Sequence, residues 1–126
     1  MSDSSNLQFD RVAGTPVARL RGDIDLSNAA SIKRSIVESI SNHEHKVVVD
    51  LERVEYLDSA GIGMLFDLWR RLVAHEQELM LVVPAGSPVR RSLQVSGWPT
   101  DIKAVESLRE ATEVAPTGLF GSYGSK

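Results

Sequence analysis

The run Val47-Val48-Val49-Asp50-Leu51 is the strongest constraint on what this chain can become. It is rich in β-branched residues and almost wholly apolar. A strand with one wet face alternates apolar and polar residues, and this one does not. It therefore predicts a central strand covered on both faces, as in a sheet flanked by helices. The flanking segments agree. Leu7 to Ala13 and Pro16 to Arg21 are strand candidates joined at Gly14-Thr15-Pro16, which predicts a hairpin. From Leu26 to Asn42 the residues Ala29, Ile32, Ile36 and Ile40 repeat at helical spacing, with Asp25 or Ser27 in place to cap the helix. Leu79 to Val83 is a second buried strand, stopped by Pro84. Ser87-Pro88 opens a third helix, which Gly97 and Pro99 end. Ile102 to Val105 is a short strand. Ser107-x-x-Glu110 is a capping box for a last helix reaching Val114.

Strands that alternate with helices imply parallel pairing through right-handed crossovers. The expected fold is α/β: one domain over residues 5–115, with a mixed, mostly parallel sheet, an N-terminal β-hairpin and about four helices. Residues 116–126, rich in Gly and Ser, are expected to form a flexible C-terminal tail. The formal charge of −3 argues against a nucleic-acid partner. With no cysteine, disulfide and thiolate chemistry are excluded. No apolar run nears the ~20 residues of a membrane span, and the N-terminus lacks the features of a leader, so no membrane association and a cytoplasmic location are expected. His43-Glu44-His45 is a polar turn rather than a metal site. Gly61-x-Gly63 lacks the third glycine of a dinucleotide loop, so no cofactor is expected.

The segment Tyr56-Leu57-Asp58-Ser59-Ala60-Gly61-Ile62-Gly63 sits between the central strand and a strongly periodic helix. It presents a serine hydroxyl where that helix begins. The free N–H groups and partial positive charge of a helix N-terminus suit a phosphate there. Ser59 is also a natural N-cap, and by itself the local sequence favours that plainer role. Gly61 and Gly63 each cost about 1 kcal/mol against alanine in a helix. They imply close packing on the sheet, bare backbone for an approaching partner, or both. Downstream, Ile62, Leu65, Phe66, Trp69, Leu72 and Val73 form an apolar stripe, the expected core face, and Trp69 and Trp98 are expected in the core. Met64 and Leu68 fall outside that stripe, which predicts an exposed ridge beyond Ser59.

Three segments follow three successive strands: Gly22-Asp23-Ile24-Asp25, then Asp58-Ser59-Ala60-Gly61-Ile62-Gly63, then Ser87-Pro88 through Ser96-Gly97. Their order and spacing resemble the STAS domain, in particular the anti-anti-sigma factors (anti-sigma factor antagonists), across Leu7 to Val114. The resemblance implies a binding switch, not an enzyme. In that family the serine after the aspartate is phosphorylated by a partner that is both anti-sigma factor and serine kinase. The unphosphorylated form binds that partner and frees the sigma factor, and a serine phosphatase resets the switch. Carried over, the phosphorylated residue is Ser59. Asp25, Asp58, Ala60, Gly61, Gly63, Met64 and Leu68 are the expected partner-binding residues. Ala60 stands where many members have a second Ser or Thr, and Asp23 where relatives often have Glu. Two other roles compete. One is an unphosphorylated STAS subunit of a lipid-transport ABC complex. The other is a small-molecule or hydrolytic domain using Ser59, for which no base or oxyanion donor set is recognisable.

Overall fold

The computed structural model describes residues 6–97 and 102–113. The expected tail and Trp98 lie outside them. Among the described residues nine elements follow in order: β1 (Leu7–Val12), β2 (Thr15–Ile24), α1 (Ala29–Ser39), β3 (Lys46–Leu57), α2 (Ser59–Ala74), β4 (Glu78–Val82), α3 (Pro88–Val95), β5 (Lys103–Val105) and α4 (Leu108–Glu113). The hairpin turns at Ala13 and Gly14, both at positive φ, a backbone that matches the twist of the two strands it joins.

One sheet carries all five strands in the order β1-β2-β3-β4-β5. β1 runs antiparallel to β2, and the remaining neighbours are parallel. Because the order never reverses, crossovers of one hand leave α1, α2 and α3 on the same face. There Ile32, Ile36, Leu65, Leu72, Val89 and Leu93 pack on Val47, Val49, Leu51, Leu79 and Leu81. α4 covers part of the other face, where its Ala111 meets Val17, Val48, Met80 and Val82. Lys46 ties α4 down: its buried ammonium donates to the Ala111 carbonyl at 2.5 Å. Burial pulls its pKa below the usual lysine value. The central strand is thus covered on both faces, as its composition requires. Among the described residues no helix is long and apolar enough to cross a membrane.

β3 runs six residues beyond the apolar run that announces it. Over its second half the buried residues are Leu51, Val54 and Leu57, a spacing of three that a regular strand cannot produce. The pairing with β2 explains it. The register slips between Arg19 and Arg21, and again between Gly22 and Asp23, each time with one extra residue in β3. Asp50 supports the first of these bulges. Its buried carboxylate accepts the Glu52 N–H at 2.9 Å and lies 3.5 Å from the Arg19 guanidinium. Replacing Asp50 with alanine is expected to cost about 1–2 kcal/mol, which urea denaturation of the variant would measure. The bulges also matter for the site. They bring Tyr56 opposite Asp23 and Leu57 opposite Ile24, so β2 and β3 end side by side.

α1 begins three residues later than expected. Residues 26–28 instead form a turn in which the Asp25 carbonyl accepts the N–H groups of Asn28 and Ala29. Neither Asp25 nor Ser27 caps the helix; Asn28 occupies the cap position, and its side chain accepts no N–H of the first helical turn. α3 follows expectation: Ser87 Oγ accepts the Val89 N–H, Pro88 starts the helix, and Gly97 follows at φ +83°. At α4 the Ser107 hydroxyl accepts the Glu110 N–H, while Glu110 reaches the N–H of Glu106 instead of Ser107.

Candidate functional site

The aligned ends of β2 and β3 place two loops against each other, and Asp58 joins them. Its Oδ1 accepts the Gly61 N–H at 2.9 Å and so caps α2. Its Oδ2 accepts the Leu26 N–H at 3.3 Å across the gap. Its own N–H donates to the Ile24 carbonyl at 3.3 Å. Asp58 is therefore both the N-cap of α2 and a clamp on the Asp25 loop.

That loop is braced from within. Asp25 Oδ1 accepts from the Ser27 N–H at 2.9 Å and the Ser27 hydroxyl at 2.6 Å. Asn28 accepts the Asp25 N–H through Oδ1 and donates to the Asp23 carbonyl through Nδ2, both at 2.9 Å. Asp58 thus reaches the residue after Asp25, while the Asp25 carboxylate itself is committed to its own turn.

Ser59 is the first residue of α2 and is exposed. The capping role belongs to Asp58, so the plainer reading of Ser59 as N-cap is corrected. A cap needs an extended backbone ahead of the first helical residue, and it is Asp58 that has one, at φ −90° and ψ −174°. The hydroxyl makes no hydrogen bond among the described residues. Asp58 directly precedes it in the chain, and the Asp25 loop is bonded to Asp58, so the two segments that meet here each carry an acid.

The two glycines separate cleanly. A Cβ on Gly61 would lie 2.6 Å from Leu57 Cδ1 and 2.8 Å from the Ile24 carbonyl oxygen, so only glycine lets α2 start against the end of β2. A Cβ on Gly63 would meet nothing within 4 Å. Packing within the chain does not explain Gly63.

The expected exposed ridge is absent. Met64 is 3% and Leu68 0% exposed, both within the core, while Val73 of the expected core stripe is 53% exposed. Ile62, Phe66 and Trp69 are only partly buried and pack on its margin. α2 carries apolar residues around most of its circumference, so two stripes compete. The close approach at Gly61 turns the Met64, Leu65, Leu68 and Leu72 side inward. Leu68 is therefore out of reach of a partner. Met64 borders a groove between α1 and α2 that Ala60 and Gly63 also line. Sequence reasoning missed Leu26, which stands 83% exposed beside Asp58. A leucine directly after Asp23-Ile24-Asp25 and before the polar pair Ser27-Asn28 was the available signal. Among the described residues no cluster of three or more His, Asp or Glu forms a metal site.

A family model described as the STAS domain matches residues 6–111. BtrV of Bordetella bronchiseptica, assigned to the anti-sigma factor antagonists, is 29% identical over 109 residues, covering 86% of this chain and 92% of that protein. The anti-sigma-F factor antagonist RsfB of Mycobacterium tuberculosis is 29% identical over 108 residues, covering 86% and 84%. The structures of the Bacillus anti-sigma factor antagonist SpoIIAA superpose with a TM-score of 0.62 in both its unphosphorylated and its phosphorylated form. Identities are 24% and 25%; the matches cover 83% of this chain and 92% and 95% of those chains.

Proposed function

Because the chain belongs to the STAS domain family, we propose that it is an anti-sigma factor antagonist that works as a phosphorylation-switched binding protein, with Ser59 as the phosphoacceptor. The unphosphorylated form binds an anti-sigma factor that is also a serine kinase. Phosphate on Ser59 ends that binding, and a serine phosphatase restores it. The protein contributes a surface and a hydroxyl; the chemistry belongs to its partners.

The observation that carries this reading is the release of Ser59 from structural duty. Asp58 caps α2 and holds the neighbouring loop, while the Ser59 hydroxyl stands exposed. A phosphoacceptor has to reach a kinase active site, and an unbonded, exposed hydroxyl at a helix start can do so without unfolding. The names of BtrV and RsfB support the antagonist role, and the phosphorylated form of SpoIIAA supports a phosphate on this fold.

The switch follows from charge. A phosphoserine carries about −1.5 to −2 charges at neutral pH. At the first residue of α2 the helix dipole offsets part of this, so the fold persists. At an interface the same charge, added next to Asp58 and to the Asp25 loop that Asp58 holds, raises repulsion and desolvation cost. Ser59→Ala is expected to take no phosphate, to bind the anti-sigma partner constitutively and, since Ser59 is no cap, to change stability by less than about 0.5 kcal/mol. Ser59→Asp is expected to weaken binding about tenfold, or ~1.4 kcal/mol. Mass spectrometry after kinase treatment and titration calorimetry decide both points. Phosphate on the Ser59→Ala protein would move the site, and wild-type affinity of Ser59→Asp would remove charge as the mechanism.

A further inference from the structure

The groove between α1 and α2 holds about 650 Å³ and opens next to Ser59. Ala30, Ala60 and Gly63 line it, so backbone is close to the surface along its length. Gly63 has open space where a side chain would be and gives up helix stability without a packing reason. Lys33, Arg34 and Arg71 also line it, against the single acid Asp67. Asp67 is already engaged by Arg70 and lies 3.9 Å from Lys33. Neither Arg34 nor Arg71 forms an ion pair among the described residues. Leu26 stands at the mouth, with its backbone held by Asp58.

We propose that this groove docks an amphipathic helix of the partner protein, with acidic residues along the flank that faces Arg34 and Arg71, and with Leu26 seated in an apolar notch beside that helix. The inference rests on the reading of this chain as a partner-binding switch. Charge complementarity selects the acidic occupant: two uncompensated guanidinium groups beside an apolar channel favour carboxylates and disfavour a basic or neutral segment. The two walls are helices, so the groove offers no sheet edge for strand addition, and a helix laid between helices is the remaining mode. A braced loop presenting one exposed leucine has the form of an interface anchor, since binding energy concentrates in a few buried apolar groups ringed by polar contacts.

The test uses the full chain and the anti-sigma partner that the Ser59→Ala protein, immobilised as bait, pulls down from the native cell. Arg34→Glu combined with Arg71→Glu is expected to lower affinity for that protein about tenfold or more, with the gap to wild type narrowing as salt rises. The unfolding midpoint should stay unchanged, because both arginines are exposed. A photo-crosslinker at position 30 is expected to capture a segment with acidic residues at helical spacing. Unchanged affinity of the double variant, or a crosslink to a basic segment or to a second copy of this chain, overturns the docking proposal. If the double variant binds like wild type while Ser59→Asp still loses affinity, the switch stands and the groove falls. If the double variant weakens binding and Ser59→Asp does not, the groove stands without the switch.

Discussion

Leu68→Ala is expected to destabilise the protein by about 2–5 kcal/mol, the range for truncating a fully buried leucine and leaving a cavity. Leu68 is wholly enclosed where α2 meets the sheet, and the same core includes Leu65, Leu72 and Val49. Met64→Ala is expected to fall toward the lower end, because Met64 borders the groove and its surroundings can relax. Val73→Ala, on the exposed side of the same helix, should change stability by no more than about 0.5 kcal/mol. Urea denaturation of the three variants ranks them. The periodic stripe read from the sequence predicts the opposite ranking, with Val73 costly and Leu68 free. A Leu68→Ala midpoint equal to wild type would show that α2 is rotated about its axis relative to the structure described here. A loss of partner affinity by Leu68→Ala is expected only in proportion to the unfolded fraction.

Gly61→Ala and Gly63→Ala are expected to move stability in opposite directions, although the two glycines lie two residues apart in one helix. At Gly61 the new methyl meets the Ile24 carbonyl oxygen at 2.8 Å, and that oxygen also accepts the Asp58 N–H. Backbone cannot step aside as a flexible side chain does, so the start of α2 must shift and strain the cap. The expected cost is about 1–3 kcal/mol. At Gly63 the methyl enters open space, and the gain from lower unfolded-state entropy is about 0.4–1 kcal/mol. Thermal unfolding of the pair is the measurement. Stabilisation by Gly61→Ala would overturn the close approach of α2 to the end of β2. A partner affinity that falls for Gly63→Ala, in a protein more stable than wild type, would identify Gly63 as a residue kept for binding.

Much of the fold was legible because it rests on local signals that nothing tertiary opposed. Ser87-Pro88 and Gly97 bound α3 because a cap hydroxyl, a proline without an N–H and a left-handed glycine act within one turn. The motif around Ser59 was legible for the same reason, since the strand, the acid and the helix start are adjacent in the chain. What failed were inferences that depend on rotation and register. An apolar stripe names the buried face of a helix only when the other faces are polar. α2 is apolar over most of its surface, and a contact between Gly61 and Ile24, 37 residues apart, selected among them. The cap of α2 turned on which residue keeps an extended backbone, and the ends of β2 and β3 decided that.

By itself the sequence determined that strands and helices alternate, that Val47 to Val49 lie between two layers, and that a serine follows an aspartate where a helix begins. These rest on residue type and short spacing. Only the tertiary structure decided that two bulges carry β3 on to Leu57 and bring the Asp25 and Asp58 loops together. Only it decided that Asp58 and not Ser59 is the cap, that Leu68 is core, and that Leu26 is exposed at the site. The physical reason is common to all four: each is set by atoms distant in sequence that compete for the same space or the same hydrogen bond, and no local pattern encodes the outcome of that competition.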